Sequence, residues 1–148
     1  MALHRRSILA VAAVFGILPV ATADAALGRA QFESAILAAR DYADDRSLLF
    51  YCLRGQTEHV PFLYAGLQAD LEQTLARLKA AGASPRQSAE IVQAVLANVR
   101  FYGRDARDES LERRCIAKDV ERSSAAARGV ALPLFQRPAF EKLGSVKK

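Results

Sequence analysis

From Ala26 onward, apolar residues recur three and four positions apart, and strict alternation is nearly absent. Phe32, Ala35, Ile36, Ala39 and Ala43 fall on one stripe of a helix, and the alanine-rich background favours helix by propensity. Apolar positions continue to Leu53, with Asp44 or Asp45 placed to interrupt the element and cap a second piece, "RSLLFYCL". Gly55 then reads as a C-terminal stop, because glycine tolerates a left-handed backbone. After the polar stretch "QTEHV", Pro61 suits the first turn of a second helix, where its missing N–H costs nothing. Tyr64, Leu67, Leu71, Leu75 and Leu78 form that helix's apolar stripe, which ends at Gly82.

The segment "GASPRQ" marks the next boundary. It supplies a terminal glycine, Ser84 as N-cap, Pro85 at the first helical position, and Gln87 placed to complete a capping box. Ser88, Val92, Val95, Leu96, Val99 and Tyr102 share one side of the third helix, expected to run to Gly103. A fourth helix is expected from Asp105 or Asp108 toward Arg128, with a thin apolar face of Leu111, Cys115, Ile116 and Val120. Two prolines in the tail predict an extended conformation for most of it. These signals predict an all-α fold, a four-helix up-down bundle with an extended C-terminal tail. Antiparallel packing puts the end of the first helix near the start of the fourth, and so Cys52 near Cys115.

The N-terminus follows a different pattern. "MALHRRS" is basic, "ILAVAAVFGIL" is apolar, and "PVATADAA" is built of small residues. Together they predict a secretory signal peptide over 1–25, cleaved after Ala23 or Ala25. The apolar run is shorter than the roughly 20 residues a membrane-spanning helix needs. The Arg5–Arg6 pair also touches the twin-arginine export pattern, so the export route stays open. The expected organisation is therefore signal peptide 1–25, helical domain 26–128 and tail 129–148, located in the periplasm or secreted. Losing 1–25 removes Arg5, Arg6 and Asp24, which lowers the formal net charge from +5 to +4. Mixed signs and an extracytoplasmic setting argue against nucleic acid, and no membrane span is expected.

Two cysteines in an oxidising compartment predict a structural bridge, Cys52–Cys115. It closes a loop of about 64 residues, worth about 4 kcal/mol in the chain-entropy model. After processing His59 is the single histidine, which leaves little for a zinc site or a Ser–His–Asp triad. Asp41, Asp44 and Asp45 are the weak candidates for a hard cation, against a reading as a solvated face with a cap. "DARDESLE" interleaves with Arg104, Arg107, Arg113 and Arg114 as i,i+4 pairs, Arg104–Asp108 and Glu109–Arg113. No cofactor is expected.

Arginine is the one enrichment. Arg100, Arg104 and Arg107 form one stripe and Arg114, Lys118 and Arg122 another, together a candidate surface for an acidic partner. Leu132, Leu134, Phe135 and Phe140 either fold back over the fourth helix or offer a partner segment. The expected function is non-catalytic binding of another periplasmic or secreted protein, as inhibitor, immunity factor, chaperone or accessory subunit. The alternative is a carrier of a small apolar or anionic ligand, lined by Tyr42, Tyr51, Tyr64 and Tyr102.

Overall fold

The computed structural model describes residues 26–118 and 132–145. The expected signal peptide, the expected continuation of the fourth helix to Arg128, with Val120 and Arg122, and tail positions 129–131 and 146–148 lie outside the described residues. Four helices come first: α1 Arg29–Cys52, α2 Val60–Ala80, α3 Pro85–Leu96 and α4 Glu109–Ala117. A 3₁₀ turn, Leu134–Gln136, then leads into α5, Pro138–Glu141, and a second 3₁₀ turn, Lys142–Ser145. Among the described residues there is no strand, and no helix is long and apolar enough to cross a membrane. The expected all-α fold is what the chain adopts.

Contacts fix the directions. α2 runs antiparallel to α1, since Arg46 meets Asp70 while Phe50 meets Tyr64. α3 runs parallel to α1: Leu27 meets Gln87 at one end, and Ser47 meets Arg100 at the other. α4 is antiparallel again, pairing Arg114 with Asp44 and Asp108 with Tyr51. Cys52 and Cys115 are bonded, Cα atoms 5.6 Å apart.

Helix ends follow the local signals, with two corrections. α2 closes on Gly82, at φ 81°, where Ala83 N–H donates to Leu78 O and Gly82 N–H to Lys79 O. That pair of bonds is a Schellman motif. Ser84 and Gln87 form the expected capping box. Gln87 does more, because Oε1 also accepts from Leu27 N–H and Nε2 donates to Leu27 O. One side chain thus starts α3 and ties down the entry to α1. The first correction is that α1 is unbroken at Asp44 and Asp45. Each carboxylate finds an arginine, Arg114 or Arg137, at 2.6 Å, and neither turns back to cap a helix. The second is that Gly55 is not left-handed; Gly82 is the glycine with positive φ among the described residues.

α3 stops at Leu96, seven residues before Gly103. Beyond it, side chains of α1 and of the turn after it take over the backbone groups. Ser47 Oγ accepts from Arg100 N–H at 2.8 Å, Tyr51 Oη accepts from Asp108 N–H at 2.7 Å, and Arg54 Nε donates to Ala106 O at 2.9 Å. Ser47 and Tyr51 share one face of α1 and Arg54 sits in the turn that closes it, so this end of α1 shapes the 97–108 connection. Arg100, Arg104 and Arg107 therefore lie on an irregular segment and form no helical stripe. Asp108 caps α4 through Leu111 N–H instead of pairing with Arg104 as expected, whereas Glu109–Arg113 does pair, at 3.7 Å.

The core has two parts. The larger packs Ala35, Ala39, Tyr42 and Ala43 of α1 against Leu67 and Leu78 of α2 and Ile91 and Val95 of α3. The smaller surrounds the disulfide with Leu48, Leu49, Tyr51 and Leu53. α2 keeps Leu67 and Leu78 inward but is turned slightly from the face its apolar stripe suggests. Asp70 and Thr74 are buried, while Tyr64 and Leu75 are 46% and 41% exposed. Asp70 accepts hydrogen bonds from Arg46 and from the Tyr42 hydroxyl, and Arg46 Nε donates to Tyr42 Oη at 2.8 Å. Burial first, and then Asp70, push the Tyr42 phenol well above its usual range. Burial also disfavours the charged Arg46, but Tyr42 and Asp70 more than offset it, so its pKa rises.

The described part of the tail corrects the expectation of an extended conformation. Arg137 reaches Asp45 and lies over the Tyr42 ring, 5.5 Å from its centre. Leu134, Phe140 and Leu143 insert into the larger core. Among the described residues it packs on α1 and α2, where the open side of the larger core lies, and not on α4. Arg77 seals the far edge through Phe140 O.

Three outcomes follow from this packing. Cys52→Ala with Cys115→Ala lowers unfolding stability by about 4 kcal/mol, read by urea titration, and reductant reproduces the shift in the native chain. Phe140→Ala costs about 3–5 kcal/mol, like other large core truncations, whereas a free tail would leave the melting temperature unchanged. Tyr42→Phe costs about 1–2 kcal/mol at neutral pH. Because the folded-state phenol titrates above its unfolded value, its contribution is intact below about pH 10 and declines above it. The stability gap between the native chain and Tyr42→Phe therefore narrows as pH rises above about 10, measured by denaturant titration at each pH.

Candidate functional site

α1 is more apolar around its circumference than one core face requires. Ala35 and Ala39 are fully buried, Phe32 and Ile36 sit half-buried on the flank, and Leu37 is 60% exposed. Opposite them stand Ala94 of α3 and Ala97 at its C-cap, whose small side chains leave space between the two helices. The result is an open trough of about 650 Å³. Its floor is Phe32, Ile36, Ala94 and Ala97, and Leu37 stands on its wall.

The two ends of the trough differ in charge. At the N-terminal end, Glu33 pairs with Arg29 at 2.7 Å and Glu90 with Arg86 at 2.8 Å, both on exposed surface. At the other end Arg40 and Asn98 belong both to the trough and to an adjoining recess of about 350 Å³. That recess lies between α1, the 97–108 connection and α4, and includes Asp44, Ser47, Arg100, Tyr102 and Asp108. Asp44 is taken by Arg114, and their hydrogen bond is the chief reason that the Arg114 pKa is raised. Asp108 is taken by the α4 cap and Ser47 by Ala43 O and Arg100 N–H. The side chains of Arg40 and Arg100 have no ion-pair or hydrogen-bond partner among the described residues. The unspent charge of the recess is positive.

A second exposed feature lies where α2 meets the connection after α3. Tyr64 and Phe101 stack at 5.0 Å and 19°, and Phe50 closes the cluster from below at 4.9 Å and 4.6 Å. The upper two rings are about half exposed.

Other sequence candidates are dispersed. Asp44 faces α4 and Asp45 faces the tail, each holding an arginine, while Asp41 is exposed. The proposed cation trio therefore does not converge, and among the described residues no group of three His, Cys, Asp or Glu is placed to hold a metal ion. His59 is exposed, 3.9 Å from Glu58. Arg107 reaches Glu112 at 3.9 Å, Arg104 and Lys118 are exposed, and Arg114 is committed to Asp44. Tyr42 and Tyr51 are fully buried in separate core clusters, Tyr64 is on the surface and Tyr102 lines the recess. They do not enclose a common cavity. Of the tail residues, Leu134 and Phe140 are core and Phe135 is half-buried.

Arg40 and Leu37 escaped the sequence reading. The available signal was Leu37, an apolar residue off the stripe of Phe32, Ile36 and Ala43. No family model matches the chain, and no match was found among curated proteins or solved structures.

The trough is surface and not structural core, which stability measurements separate cleanly. Leu37→Lys changes unfolding free energy by less than about 0.5 kcal/mol. Ala39→Leu, two residues away on the buried face, overpacks and costs about 1–3 kcal/mol.

Proposed function

We propose that the protein is an exported, non-catalytic helical binding protein whose partner is another protein of the periplasm or extracellular space. The observation that carries this reading is the apolar trough between α1 and α3, bordered by two arginines, Arg40 and Arg100, whose side chains have no partner among the described residues. Apolar surface gathered beside polar rims is what protein-binding faces expose. The buried polar side chains, by contrast, serve internal packing: Asp70 holds Arg46, and Tyr51 holds the 97–108 connection. The signal-type N-terminus and the Cys52–Cys115 bridge support export to an oxidising compartment.

A small-ligand carrier is the second reading, favoured by a trough volume within the range of small-molecule sites. Against it, the trough is open along its length, whereas such sites bury most of the ligand. Affinity capture from the protein's own envelope fraction, run in parallel with native chain and Leu37→Lys, tests the proposal. A stoichiometric protein retained by the native chain and depleted at least tenfold with Leu37→Lys supports it. A co-purifying small molecule without protein supports the carrier instead.

A further inference from the structure

We infer that the trough and its adjoining recess together receive an amphipathic helix of the partner protein, with acidic side chains at the end that meets Arg40 and Arg100. This rests on the protein-binding reading and specifies its site and chemistry. α1 and α3 run side by side in the same direction, so their shared trough is a straight seat for a third helix packed on two. Along α1 the distance from Phe32 to Arg40 is about 12 Å, and from Phe32 to Ser47 about 22 Å, at 1.5 Å per residue. A partner helix of about 15 residues spans both compartments. Its first half would meet Phe32, Ile36 and Leu37, which call for apolar anchors at i, i+3/i+4 and i+7.

Charge sets the register. Glu33 and Glu90 are already neutralised by Arg29 and Arg86, so the first half of the seat carries little net preference. In the second half Asp44 and Asp108 are engaged by Arg114 and by the α4 cap. Arg40 and Arg100 are left without a side-chain partner among the described residues, two forks suited to bidentate contact with carboxylates. An acidic residue one or two turns beyond the last apolar anchor falls opposite them. Registers displaced toward the Arg29 end leave both arginines unmatched.

Photocrosslinking in the native host tests this. The full chain carries p-benzoylphenylalanine at Leu37, at Ala97 or, as a control on α2, at Leu75, and adducts are mapped by mass spectrometry. The expected result is adducts at Leu37 and Ala97 to one amphipathic segment with acidic residues, and none at Leu75. Arg40→Glu with Arg100→Glu should reduce the Leu37 adduct at least tenfold without moving the melting temperature. Glu→Lys changes in the mapped segment should restore it. Adducts confined to Leu75 overturn the trough as the seat yet leave protein binding standing, whereas adducts at no position overturn both readings. A lipid or small-molecule adduct at Leu37 overturns the partner helix. A protein adduct indifferent to the arginine reversal overturns the acidic register.

Discussion

Arg46 and Asp70 hold opposite charges out of water between α1 and α2, and much of the architecture serves that one contact. Each ion gives up several kcal/mol of hydration on burial, so the pair is tolerable only with close geometry and its remaining polar atoms satisfied. Tyr42 supplies the third partner, bonding to both. α1 and α2 must then meet in a single register, since a shift of one residue would strand a bare charge in the core. The tail is placed by the same group. Arg137 lies over the Tyr42 ring and grips Asp45 one turn along, which aligns Leu134 and Phe140 with the larger core.

The other half of α1 works by covalent and polar fastening more than by apolar area. α4 is nine residues long, and among its described residues Cys115 is the one buried. A short helix with so thin an apolar face has little intrinsic stability. The disulfide, together with Tyr51 and Arg54 reaching its N-terminal approach, keeps it docked. α1 is therefore a central post with distinct faces for α2 and the tail, for α3, and for α4. The trough is the strip of α1 that none of these fully covers.

The parts legible in the sequence were those governed by neighbours in the chain. Gly82, Ser84 and Gln87 act within one turn of each other, and the structure has them in the expected roles. The two cysteines left a single intrachain pairing to consider. What stayed hidden depended on distant contacts. Nothing in the stripe Leu67, Leu71, Leu78 reveals that Asp70 and Thr74 point inward, because Asp70 is buried only by virtue of Arg46, twenty-four residues upstream. α3 looked longer because Val99 and Tyr102 continue its period; Ser47 and Tyr51 of another helix end it. The arginine stripe dissolved for the same reason. Two prolines in the tail were read as extension, although each also suits the start of a short helical turn.

The hold of α1 on residues 97–108 has a consequence for how this protein can change. Arg100 N–H, Ala106 O and Asp108 N–H are main-chain atoms, and any amino acid except proline offers the same ones. The instructions for the segment's shape are written some fifty residues upstream, in Ser47, Tyr51 and Arg54. Side chains such as Arg104, Asp105 and Arg107 are thus free to drift, while an insertion or deletion of one residue would throw the anchor points out of step. Among descendants of this chain, the segment should keep its length while positions such as 104, 105 and 107 change their spelling.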